Sequence, residues 1–142
     1  MATATPTAPF VTWNDSWVIG VQEIDAQHKN LVSILNQLHQ AMSLGHGKDV
    51  LGGILNSLIG YSKAHFAAEE KLMQQNRYPD IVAHKKEHEL LTAKVVDFQR
   101  NFDAGRIGVG VEVIQFLSGW LQGHIRGTDK KYVPFLHASG VR

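Results

Sequence analysis

Two short runs, His65-Phe66-Ala67-Ala68-Glu69 and His84-Lys85-Lys86-Glu87-His88, each set two metal-capable side chains four residues apart. Residues at i and i+4 share one face of an α-helix, so each pair can converge on one point. The apolar residues around them carry the same period. Leu51, Ile54, Leu55, Leu58, Tyr61, His65, Phe66, Leu72 and Met73 predict a helix over Val50 to Gln75. Ile81, His84, His88, Leu91, Val95 and Phe98 predict another over Asp80 to Asn101, with two histidines standing where a core seam would be apolar. Arg77-Tyr78-Pro79-Asp80 supplies the turn between them, because Pro79 cannot continue a preceding helix.

The pattern extends in both directions. Upstream, Ile24, His28, Leu31, Val32, Leu35, Leu38 and Met42 mark a helix over Gln22 to Met42, with His28 inside its apolar stripe. Two glycines in Ser43 to Lys48 end it, and Asp49 is the expected N-cap of the next. Gly52, Gly53 and Gly60 each weaken that next helix by about 1 kcal/mol, and admit close approach by a neighbour. Downstream, Phe102 to Gly108 reads as a loop. Val113, Phe116, Leu117, Trp120, Leu121, His124 and Ile125 then mark a helix over Val109 to Ile125, which Gly127-Thr128 is expected to interrupt before Asp129. Lys130 to Leu136 is expected to form a short terminal turn or helix.

Four helices on short connections predict an all-α, antiparallel up-down-up-down four-helix bundle with an N-terminal extended arm. Residues 1–9, rich in Ala, Thr and Pro, are read as a flexible leader, 10–137 as arm and bundle, and 138–142 as a short tail. At 142 residues with 44% hydrophobic content, the chain can bury a core as one domain. Fourteen Lys plus Arg balance 13 Asp plus Glu, which argues against a nucleic-acid or anionic-membrane footprint, and this balance together with the lack of an obvious exposed apolar helix favours a monomer. The absence of cysteine excludes disulfide scaffolds, iron–sulfur clusters and c-type haem attachment. No signal sequence or membrane segment is read, so the default location is cytoplasmic.

One histidine on an apolar face is usually a core residue. Five of them, His28, His65, His84, His88 and His124, with Glu69 and Asp129, would leave many buried polar groups unpaired unless they hold metal. Seven donors are too many for one tetrahedral zinc and suit two octahedral ions, iron first and manganese second. If Glu69 and Asp129 each bridge, and solvent supplies a shared oxygen, one ion has six ligands and the other five. The open position would take a small molecule, dioxygen above all. No Glu-x-x-His motif occurs, and neutral rings outnumber carboxylates, which argues for reversible binding rather than oxygen cleavage.

From Phe10 to Leu136 the sequence resembles the single-domain bacterial hemerythrins. The resemblance rests on Ile24-Asp25-Ala26-Gln27-His28, His65 to Glu70, Tyr78-Pro79 with His84 and His88, and Trp120 to Asp129. It implies two iron ions bridged by an oxo or hydroxo group, with no haem. In that family's pattern His84, His88 and His124 would hold the saturated iron, and His28 and His65 the one with the vacancy. Glu69 and Asp129 would bridge. An apolar oxygen pocket would map onto Phe66, Trp120, Leu121 and Ile125, with Tyr132 near the site. The expected function is oxygen storage, delivery or scavenging rather than enzymology, with an external reductant or an oxygen-consuming client protein as partner. The alternatives are a sensor acting through a separate partner, or a di-iron peroxidase, oxidase or nitric-oxide-handling protein. Glu70 and Glu87 lie about 100° from their neighbouring ligands on ideal helices and are expected to face solvent. His39 is read as core or rim, and His46 and His137 have no motif partner.

Overall fold

The computed structural model describes residues 10–105 and 110–142. The expected leader and most of the second half of the loop before the fourth helix lie outside the described residues. Four long helices follow one another: α1 (Gln22–Ser43), α2 (Lys48–Gln75), α3 (Ile81–Asp103) and α4 (Val111–Gly123). They form the expected all-α antiparallel bundle, and no strand occurs among the described residues. Each helix turns its apolar stripe to the centre, where α1 packs on α2 and α4, and α2 on α3. Helices α3 and α4 meet through the edge-to-face rings of Phe98 and Phe116, 5.8 Å apart. None of the described helices is long and apolar enough to cross a membrane.

The boundaries differ from expectation in instructive ways. Gly47, not Asp49, occupies the N-cap of α2, and Asp49 falls in the first turn, where its charge favours the positive helix end. Helix α3 runs two residues past Asn101, which draws Phe102 out of the expected loop and into the core. Phe102 reaches Gly52, where a Cβ would lie 3.3 Å from its ring, so this glycine is the one that admits a neighbour. Lys48 ties the same end together by donating to the Asp103 carbonyl at 2.9 Å.

The chain does not break at Gly127-Thr128. A π-helical turn, His124–Thr128, continues α4 into a 3-10 turn, Asp129–Tyr132, and then α5 (Val133–Ala138). Gly127 costs such a segment only about 1 kcal/mol. Burial of Ile125, Tyr132 and Leu136 outweighs that penalty.

The arm packs as expected, with Val11, Trp17, Ile19 and Val21 buried, and it contains a 3-10 turn, Asp15–Trp17, capped by Asn14. Asn36 of α1 both accepts from the Val11 N–H and donates to its carbonyl, at 2.8 Å each. Asp25 accepts from the N–H groups of Ile19 and Gly20, at 2.8 and 3.1 Å. Gly20 takes φ +97°, a left-handed conformation that favours glycine. From the other end of the chain, His137 Nε2 donates to the Gly20 carbonyl at 2.8 Å.

Candidate metal centre

Each helix delivers its polar residues by the period that buries its apolar ones. His28 comes from α1, His65 and Glu69 from α2, and His84 and His88 from α3. His124 opens the π-helical turn and Asp129 follows it. All seven are buried, with Glu69 and Asp129 fully so. They gather as two overlapping sets: Glu69, His84, His88, His124 and Asp129, and His28, His65, Glu69 and Asp129. Within each set one donor atom per residue lies within 4.8 Å of the others.

The carboxylates divide their oxygens between the sets. Glu69 Oε1 lies 3.1 Å from His28 Nε2 and 3.0 Å from His65 Nε2, while Oε2 lies 3.4 Å from His84 Nε2 and 3.1 Å from His88 Nε2. Asp129 Oδ2 lies 3.0 Å from His28 Nε2, while Oδ1 is 2.9 Å from both His84 and His124 Nε2.

His124 and Asp129 are five residues apart, which an α-helix would place about 140° from one another. The π-helical turn takes up the extra residue and brings both to one side. The expectation of an interruption therefore missed a widened turn. The legible signal was a ligand spacing of five where the other two pairs have four.

The outer faces of three rings are held from neighbouring helices. His65 Nδ1–H donates to Gln27 Oε1 at 2.6 Å, and His124 Nδ1–H donates to Glu87 Oε1 at 3.1 Å. His88 Nδ1 makes a longer 3.5 Å contact with Glu70 Oε2. The Thr128 hydroxyl donates to Glu87 as well, at 3.1 and 3.3 Å to its two oxygens. An ionised carboxylate only accepts, so Nδ1 carries the proton and Nε2 of a neutral ring keeps its lone pair. Glu70 and Glu87 are thus not simply solvent-facing. Their side chains are long enough to cross from one helix to a ring on the next, which rotation about a single ideal helix did not capture.

The donor chemistry fits a pair of cations. His88 and His124 turn their Nε2 atoms toward each other at 3.0 Å, where two lone pairs would repel without a proton or cation between them. His28 Nδ1, Glu69 Oε2, both His84 nitrogens and both Asp129 oxygens are buried without a well-aligned hydrogen bond from any of the described residues. Such groups cost kilocalories per mole each when unsatisfied. Without metal, protons do part of this work. Burial disfavours charge on His28 and His84, yet their contacts with Asp129 and Glu69 outweigh it and raise both rings to about 9. Burial and the Glu69 charge push Asp129 up, but His124 and His28 hold it down at about 2. Glu69, against its own desolvation, is held well below the usual carboxylate range by His28, His65, His84 and His88.

Of the expected apolar wall, Phe66, Leu121, Ile125 and Tyr132 are buried and Trp120 is half-buried. Phe66 lies flat on the His88 ring at 3.9 Å and 8°, and Trp120 on His124 at 4.3 Å and 14°. Both therefore shield the three-histidine set, and Phe66 also meets His65 at a tilt, 5.7 Å away. The Tyr132 hydroxyl donates to Glu69 Oε1 at 3.2 Å, and burial beside two carboxylates pushes its own ionisation well above the usual tyrosine value. His39 sits at the rim, stacked on Phe10 at 4.5 Å, and His46 is exposed in the loop between α1 and α2.

Bundle and cluster together define a class: four-helix proteins with a buried histidine–carboxylate site built for paired cations. The Hemerythrin HHE cation binding domain matches residues 19–136, and the chain belongs to the hemerythrin family. It is 40% identical over 123 residues to a bacteriohemerythrin of Pseudomonas aeruginosa, covering 87% of this chain and 79% of that protein. A bacteriohemerythrin of Methylococcus capsulatus is 39% identical over 114 residues, covering 80% and 86%. The crystal structure of a wild-type hemerythrin superposes with a TM-score of 0.85 at 36% identity, covering 89% of this chain and 98% of the other. The cluster is consistent with a non-haem di-iron cofactor.

Proposed function

We propose that this chain binds dioxygen reversibly at two iron ions bridged by an oxo or hydroxo group, serving oxygen storage, delivery or scavenging. One observation carries the reading: each of two buried carboxylates turns one oxygen toward His28 and the other toward the three-histidine set. That is the arrangement of bridging ligands. His84, His88 and His124 would hold one ion, His28 and His65 the other, and Glu69 and Asp129 both. The second set has one histidine fewer, so it is the set with room for a small ligand.

A bound ferrous pair supplies the electrons that dioxygen binding draws on. The protein's part is to hold, shield and orient. Gln27 and Glu87 fix ring tautomers so that Nε2 faces inward. Phe66 and Trp120 cover the ligand rings, and the buried Leu121 and Ile125 would add an apolar wall that keeps water from the cluster. Tyr132 keeps its proton and holds Glu69 Oε1, on the side of the two-histidine set.

The test is an anaerobic stopped-flow experiment on the reduced, iron-loaded protein. A charge-transfer absorption should appear on mixing with dioxygen, disappear under argon and return on a second exposure. Irreversible oxidation with hydrogen peroxide released or consumed would sink the carrier reading in favour of a redox enzyme. A reversible response supports either a carrier or a sensor, and a shift in binding to a partner on oxygenation would select the sensor.

A further inference from the structure

The supports of the ligand rings follow one another around the bundle. Gln27 of α1 serves His65 of α2, Glu70 of α2 serves His88 of α3, and Glu87 of α3 serves His124 after α4. Each adjoins a ligand in sequence yet orients one on the next helix. Their charge is uneven. Both carboxylates serve rings of the three-histidine set, whereas His65 of the two-histidine set receives a neutral amide. One ring in each set, His28 and His84, has no Nδ1 partner among the described residues, so the unevenness lies in the rings that are supported.

A carboxylate that accepts the Nδ1 proton makes Nε2 a stronger donor, and an amide oxygen does so less. Of the two carboxylates Glu87 is the better placed. Thr128 holds it at 3.1 and 3.3 Å, while Glu70 stands 3.5 Å from His88 and is shared with Lys85, 3.8 Å away.

We propose that Glu87 is a positioning residue whose charge tightens the hold of the three-histidine set on its cation, and that neutral Gln27 leaves the two-histidine cation exchangeable. This rests on the two-cation reading above. The uneven charge would let one ion be exchanged while the other keeps the bundle organised.

The experiment is stepwise chelation of the fully loaded protein, followed by metal analysis and optical spectra. Wild type should lose its two ions in two phases. Cobalt-loaded protein identifies the phases, because the exchangeable Nδ1–H signals of His65 and His124 are shifted by their own ion and vanish with it. Ligand number alone already makes the two-histidine ion leave first, so order is not the test. Charge exchange is. Glu87→Gln keeps the length and an acceptor but removes the charge. It should speed the second phase about 10-fold, the lower end of typical outer-ligand effects because the Glu87 side chain is 43% exposed and screened. The first phase should not move. Gln27→Glu should slow the first phase by a similar factor and leave the second alone.

If Glu87→Gln matches wild type while Glu87→Ala does not, the contact acts by geometry and the proposal is overturned. Equal shifts of both phases in either variant overturn it too. A wild-type protein that binds a single ion would fail the two-cation reading itself, visible in stoichiometry before any variant is made.

Discussion

The two ends of the bundle are built from the same helices and the same period, yet they are held by different forces. At the end near the loop between α1 and α2, Leu35, Leu38, Leu55, Leu58, Val95, Phe102, Ile114 and Leu117 fill the interior. At the other, the equivalent seams carry His28, His65, Glu69, His84, His88, His124 and Asp129. The first end gains stability simply by leaving water. The second leaves water at a cost, and recovers it only when protons or cations balance the donors. A helical period therefore fixes where a side chain points, and the residue placed there decides whether the position stabilises the fold or depends on a ligand.

The contrast can be broken most forcefully at the carboxylates. Glu69→Ala or Asp129→Ala should remove the paired-metal spectrum and lower the metal content below two per chain. Two coupled irons persisting in either variant would contradict the bridging assignment. Leu55→Ala, at the apolar end, should cost about 2–5 kcal/mol in chemical unfolding, as buried leucine truncations do, while both metals remain. Loss of metal there would mean that the ends are not separable.

Acidity probes the same difference at a smaller scale. In metal-free protein His28 and His84 titrate at about 9 against 6.5 for the free side chain. Their contribution is complete below pH 6.5 and is lost as pH rises through about 9. Asp129, lowered to about 2 from 3.8, contributes above 3.8 and loses that contribution as pH falls through about 2. Thermal melts of the metal-free chain should thus weaken between pH 6.5 and 9, and bound metal should abolish that alkaline loss because its ligands are already deprotonated. A flat metal-free profile would show that the ring–carboxylate contacts do not stabilise the fold. The smallest change is Gly53→Ala, where an added Cβ meets nothing within 4 Å in an exposed part of α2. It should add up to about 1 kcal/mol by calorimetry and leave metal binding untouched.

Much of this contrast was legible in the residues. Apolar steps of three and four marked all four helices, and histidines standing in those steps marked the donors. What escaped was decided by tertiary contact. Phe102 looked like loop because its partner, Gly52, lies on another helix. Glu70 and Glu87 looked like surface charges because their rings lie on other helices as well. Gly127 looked like a break because its cost is local, whereas what outweighs it, the burial of Ile125, Tyr132 and Leu136, is not. Asp49 satisfied a cap preference, yet Gly47 begins the helix two residues earlier.

The spread of the seven donors along the chain has a consequence for biogenesis. His28 is the first and Asp129 the last, beyond the π-helical turn, and no fragment ending before Asp129 contains both carboxylates. During synthesis the cluster stays incomplete until that turn has left the ribosome and folded back on α1. Cation capture at the full cluster would then be a late event, coupled to final docking of the C-terminal segment, and a nascent chain would offer no finished site in which a metal could be trapped prematurely.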